Sequence, residues 1–199
     1  VIYEQRNRLM EVDDISATVG MARTEVVNEL IDVHLPPESL EEQWDIPSLE
    51  KDVEARFGLA MPVGQWLAED DALHEETLRQ RIESEVIGAY EQKAAGVGEE
   101  VIRHLEKAVM LRVLDEQWKD HLAQMDHLRQ GIGLRGYAQK NPKQEYKREA
   151  FEMFTDVLER VKNETIGILS KIQIQTSAEV EELEVQRRRQ GADGREYLH

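Results

Sequence analysis

Leu128-Arg129-Gln130-Gly131-Ile132-Gly133-Leu134-Arg135-Gly136-Tyr137-Ala138-Gln139-Lys140-Asn141-Pro142-Lys143-Gln144 decides the fold. Glycines at 131, 133 and 136 disfavour a continued helix. Asn141 then restarts one as N-cap, with Pro142 at the first helical position and Gln144 at the third. A long apolar stripe lies on each side. Val101, Leu105, Ala108, Leu111, Leu114, Trp118, Leu122, Met125 and Leu128 precede the break, and Phe151, Phe154, Leu158, Val161, Thr165, Ile168 and Ile172 follow it. Steps of three and four mark amphipathic helices. Two such helices joined by a short, glycine-rich connection predict an antiparallel hairpin.

Upstream, Leu9, Val12, Ile15, Val19, Ala22, Val26, Leu30 and Val33 predict one helix over 1–33, with Gly20 as the weak point and Pro36-Pro37 as the stop. Residues 39–95 read as short helices. Ser39-Leu40-Glu41-Glu42 has a capping-box pattern, Pro47-Ser48 opens a helix ended by Gly58, and Pro62 starts a turn around Trp66 and Leu67. A longer helix is expected from Ala72 to Ala94, burying Leu73, Leu78, Ile82, Val86 and Tyr90 and ending at Gly96 and Gly98. Such short helices are unstable alone and must pack on one another. Trp118 reads as packing and Trp44 as a pin between small helices. Past residue 175 an acidic block (Glu179, Glu181, Glu182, Glu184) meets a basic one (Arg187, Arg188, Arg189), with too little apolar content to order the end.

The formal net charge of the 199 residues is −16. Residues 25–100 hold 20 acids and 5 bases, whereas residues 101–175 hold 11 acids and 13 bases. An acidic module therefore adjoins a near-neutral one, a poor composition for binding nucleic acid generically. The absence of cysteine excludes disulfides, thiolate metal sites and a cysteine nucleophile, and suits a reducing compartment. No apolar run approaches the roughly 20 residues that span a bilayer. The opening Val1-Ile2-Tyr3-Glu4-Gln5-Arg6 reads as the middle of a helix, so the expectation is a segment of a longer protein.

Motifs of catalysis are missing. There is no phosphate-binding loop, no dinucleotide fingerprint and no nucleophile elbow. The histidines show no metal-ligand spacing, since His121 and His127 face different sides of a helix. Adjacent acid pairs such as Glu41/Glu42 do not face each other. The expectation is no catalytic residue, no cofactor and no metal. The candidate site is the hairpin tip: Ile132, Leu134 and Tyr137 stand among Arg129, Arg135, Lys140, Lys143, Lys147 and Arg148, against the single acid Glu145. A solvated turn with helix-terminal charges explains such a tip as readily as a lever presenting an aromatic and a cationic collar.

Distinctive residues favour the lever. Trp118-Lys119-Asp120-His121-Leu122, Leu128-Arg129-Gln130-Gly131-Ile132 and above all Leu134-Arg135-Gly136-Tyr137-Ala138-Gln139-Lys140 closely resemble the two-helix finger of the SecA family. Trp44-Asp45-Ile46-Pro47 and Leu73-His74-Glu75-Glu76-Thr77-Leu78-Arg79 resemble its helical wing, and Val1-Ile2-Tyr3 with Gln5-Arg6-Asn7 the end of its first scaffold helix. The resemblance implies an all-α fold: a small wing domain plus a long hairpin packed on a scaffold helix. It divides the chain into a scaffold end (1–11), the wing (12–98), the finger and scaffold continuation (99–175) and a frayed or disordered tail (176–199).

It implies part of an ATP-driven translocase that moves unfolded preproteins through the SecYEG channel, with ATP and Mg bound by motor domains outside this segment. Channel and preprotein contact would fall on Tyr137, Leu134, Ile132, Arg135, Lys140 and Lys143. Implied partners are SecYEG, the preprotein, the nucleotide-binding domains of the same chain and an anionic phospholipid surface; separately, apolar surface that a cut scaffold helix exposes invites self-association into a homodimer that need not be physiological. The implied location is cytoplasmic and peripheral on the inner membrane. The family's zinc-binding tail for SecB needs cysteine, so neither zinc nor SecB is expected. The alternatives are a nucleic-acid-binding helical module using the basic tip, and a helical adaptor pairing its stripe with another protein.

Overall fold

The computed structural model describes residues 11–12, 14–70, 72–132 and 141–173. The expected tail (176–199) and nearly all of the expected scaffold end lie outside these residues. The described chain is all-α: α1 (Ser16–His34), a 3-10 turn (Glu41–Gln43), α2 (Ile46–Phe57), α3 (Val63–Glu69), α4 (Glu75–Val97), α5 (Glu99–Ile132) and α6 (Pro142–Lys171).

The helix ends follow local chemistry. Asp45 caps α2 by accepting from the Ser48 amide at 3.2 Å, and Gly58, at φ 71°, ends it in the left-handed region that glycine enters without a Cβ clash. Gly98, at φ 100°, is the single residue between α4 and α5. Gly96, expected to end α4, lies within it. Ser39 caps no α-helix. Its hydroxyl accepts instead from the Trp44 indole N–H at 3.0 Å and ties that ring over the 3-10 turn.

The single helix expected over 1–33 is broken, and the break is not at Gly20. Residues 12, 14 and 15 are non-helical, the Asp14 carboxylate accepts from the Ser16 amide at 2.8 Å, and α1 begins there. That acceptor satisfies a free amide that a continuous helix would have bonded internally.

α1 is the axis of the fold and packs on α2, α4, α5 and α6. Its buried residues Val19, Val26, Val27, Leu30 and Ile31 meet Leu49, Val53 and Phe57 of α2, Leu78, Ile82 and Val86 of α4, Ile102, Val109 and Val113 of α5, and Ile166 and Leu169 of α6 in one core. At about 1.5–3 kcal/mol per fully buried large apolar side chain, this core dominates the stability of the unit. The expected stripes are met in part: Ile15, Val19, Val26, Leu30, Leu114 and Thr165 are buried as expected, but other positions are shifted. Val33, Val101, Leu122 and Phe151 are exposed, while Ile102, Val109, Val113 and Val157 are buried.

α5 and α6 pair more extensively than any other two helices, as the hairpin reading expects. The root core reaches Val113 on α5 and Val161 on α6. Past Leu114, α5 continues to Ile132, about 27 Å at 1.5 Å per residue.

Candidate functional site

Asn141 forms the cap the sequence predicts: its side chain accepts from the Lys143 amide at 3.1 Å, and Pro142 follows as the first helical residue. Lys143 is exposed on the first turn of α6. Ile132 closes α5. Leu134, Arg135, Tyr137 and Lys140 lie outside the described residues. Of the flanking bases, Arg129 and Lys147 are exposed, whereas Arg148 is paired with Glu145 at 2.8 Å and lies 3.8 Å from Glu152. Part of the cationic collar is thus met within its own helix.

The root of the hairpin is clamped by polar contacts from both sides. Burial pulls the Lys162 ammonium down, but bonds to Glu159, Glu29 and Glu25 outweigh it and hold the group above the usual lysine range. Those carboxylates lie at 2.6, 2.5 and 3.3 Å, and the two on α1 tie it to α6. Arg56 of α2 donates to the Asn163 side chain, and Lys171 of α6 donates to the Ala55 carbonyl at 3.1 Å. Lys93 of α4 donates to the carbonyls of Leu169 and Ser170, satisfying acceptors that the end of α6 leaves free. An open cleft of about 850 Å³ runs between α1, α2 and α6, bordered by Val33, His34, Asp52, Arg160 and Ile168.

Sequence reading missed a buried polar cluster where α1, α4 and α5 meet. Glu106 is 1 % exposed and accepts from the Tyr90 hydroxyl at 2.8 Å and from Arg103 at 2.9 Å. Arg23 lies with its guanidinium carbon 3.4 Å from the centre of the Tyr90 ring, a cation–π contact. Its Nε and Nη2 are buried and make no hydrogen bond among the described residues. Burial lowers the Arg23 pKa and raises that of Tyr90 well above the phenol range, the bond to Glu106 adding to the latter. Tyr90 is therefore a donor at any ordinary pH. The signal was present but inverted: Arg23 and Glu106 occupy core positions of the helical repeat, where a reading by apolar residues skips them.

Among the described residues no group of His, Asp and Glu could hold a metal ion, and no helix is long and apolar enough to cross a membrane. What the described residues show is a long pair of helices, α5 and α6, whose root is packed on α1, α2 and α4.

A family model, the SecA wing and scaffold domain, matches residues 1–173. The protein translocase subunit SecA of Nitrosococcus oceani is 55% identical over 199 residues, which is 100% of this chain and 22% of that protein. The protein translocase subunit SecA of Methylococcus capsulatus is 54% identical over 188 residues, 94% of this chain and 21% of that protein. The chain spans about a fifth of the length of these curated relatives.

Proposed function

The chain belongs to the SecA wing and scaffold family, and from that premise we propose that it serves as the mechanical arm of a protein translocase. Residues 12–98 would be the wing, 99–175 the finger and scaffold continuation, 1–11 the end of the preceding scaffold helix and 176–199 a tail. The α5–α6 hairpin would carry Tyr137, with Ile132, Leu134, Arg135, Lys140 and Lys143 around it, to an unfolded preprotein at the mouth of the SecYEG channel on the cytoplasmic face of the membrane. ATP and Mg would act on nucleotide-binding domains elsewhere in the whole protein, and this segment would have no turnover of its own. An anionic phospholipid surface is a further partner for the bases of the collar.

One observation carries this reading. The root of the hairpin is held by α1, α2 and α4, whereas α5 runs on past the shared core paired with α6. An arm clamped at one end transmits force to the other. A tyrosine at such an end has a large amphipathic ring and few rotatable bonds, so it grips varied side chains at small entropic cost.

The test is a photo-cross-linking residue at position 137 of the whole protein during transport. Capture of preprotein or channel supports the reading, and capture of neither removes it. Tyr137→Ala should slow transport, while the 199-residue chain alone should hydrolyse no ATP.

A further inference from the structure

Beyond the root, the hairpin is held together by a second and much smaller core. On α5 past Leu114, His121 is the one buried residue among those described, and on α6 before Val157 there is none. The His121 ring centre lies 5.0 Å from that of Trp118 on its own helix and 6.2 Å, edge-on, from that of Phe154 on α6. Its Nδ1 is buried and has no hydrogen-bond partner among the described residues.

The protonation state of this ring decides what the site costs. A neutral imidazole protonated on Nε2 leaves Nδ1 as a bare lone pair among aromatic rings. An imidazolium would bury an unpaired N–H and a charge together. Among the described residues no carboxylate contributes to shifting the ring's titration. One turn before and after His121 on α5 stand Gln117, Trp118, Gln124 and Met125, none of them titratable, and the flanking Asp120 is exposed. The charged group of α6 that bears on the ring is Arg160, of like sign, whose Nε donates to Gln117 at 3.0 Å. Burial first, and Arg160 second, hold the imidazole below the ordinary histidine range.

We propose that His121 is the positioning residue of the arm: its neutral ring is the wedge that keeps α5 and α6 paired past the root, and protonating it releases the far part of the hairpin while the root stays packed. The inference concerns the two helices and stands whether or not the end of the arm touches a preprotein. The sign follows from linkage. The folded hairpin binds this proton less well than the unfolded chain does. Pairing is therefore unaffected above about pH 6.5 and weakens below it, by at most about tenfold per pH unit until the folded-state pKa is reached.

The experiment is amide hydrogen exchange of the 199-residue chain at pH 7.5 and 5.5, expressed as protection factors so that intrinsic exchange divides out. Protection over 118–128 and 150–157 should fall severalfold at the lower pH, with 102–113 and 166–169 unchanged. His121→Phe keeps an aromatic wedge and should abolish the pH response, while His127→Gln, on an exposed position of the same helix, should keep it. Equal responses in wild type and His121→Phe, no response in wild type, or a loss spread over root and arm alike would overturn the proposal. Should His121→Phe not fold, a ring titration by NMR decides: a His121 pKa at or above about 6.5 refutes it, and a lower one upholds it.

Discussion

The hydroxyl of Tyr90 donates to the carboxylate of Glu106 at 2.8 Å, and this bond spans the Gly98 corner between α4 and α5. It sets a carboxylate that is 1 % exposed between two arginines, with Arg103 bonded to it and Arg23 lying over the tyrosine ring.

Removing the hydroxyl and removing the charge should therefore differ. Tyr90→Phe deletes one donor but leaves Arg103 on Glu106 and a ring face for Arg23, a loss of about 1–2 kcal/mol. Glu106→Gln leaves the buried Arg23 without its nearby countercharge and Arg103 without its buried partner, a loss of about 3 kcal/mol or more. Urea denaturation of both variants checks the order. Equal losses would mean that the charge contributes nothing beyond the hydrogen bond.

Gly98 and Gly88 should respond in opposite directions to alanine. Gly98 sits at φ 100°, ψ 140°, where a Cβ is strained however much space surrounds it, so Gly98→Ala should cost about 1–3 kcal/mol. Gly88 is exposed within α4 with nothing within 4 Å of an added Cβ, so Gly88→Ala should stabilise by about 0.5–1 kcal/mol. Thermal melts of the two variants decide it.

Lys162 binds α6 to α1 through carboxylates that remain half open to water. Lys162→Met should cost about 1 kcal/mol at low salt and less at 1 M salt, where exposed pairs are screened. The raised ammonium pKa fixes the pH window. Its contribution is fully present below about pH 10.4 and is lost as pH rises through the folded-state value. The difference between wild type and variant should thus be constant from neutral pH upward until the lysine titrates.

Helix ends were legible because their signals are local. Asn141-Pro142 and Gly58 each act within a turn of where they stand, so no knowledge of packing was needed. Helix faces were less legible. The stripe read from Val101 to Leu128 takes every suitably spaced apolar residue, but the side that packs includes Glu106 and His121. Likewise α1 buries Arg23 and His34. Polar residues at core positions shift the apparent phase of an apolar repeat by one residue. They are also the residues on which the buried cluster and the wedge depend, which is why both escaped a reading based on hydrophobicity. The tip, residues 133–140, lies outside the described residues, so its reading rests on experiment at Tyr137.

The phase itself can be measured on α6. A stripe running through Phe151 and Leu158 would make Phe151 a core residue, and truncating a buried phenylalanine costs about 3–5 kcal/mol. In the structure Phe151 is 70 % exposed and Val157 is 0 % exposed. Phe151→Ala should therefore change stability by no more than about 0.5 kcal/mol. Val157→Ala, although it removes far fewer atoms, should cost about 1–3 kcal/mol through the cavity it leaves between the two helices. The smaller deletion causing the larger loss in chemical denaturation is the expected result. The reverse order would put Phe151 in the hairpin seam and rotate α6 toward the face that carries Phe151 and Leu158.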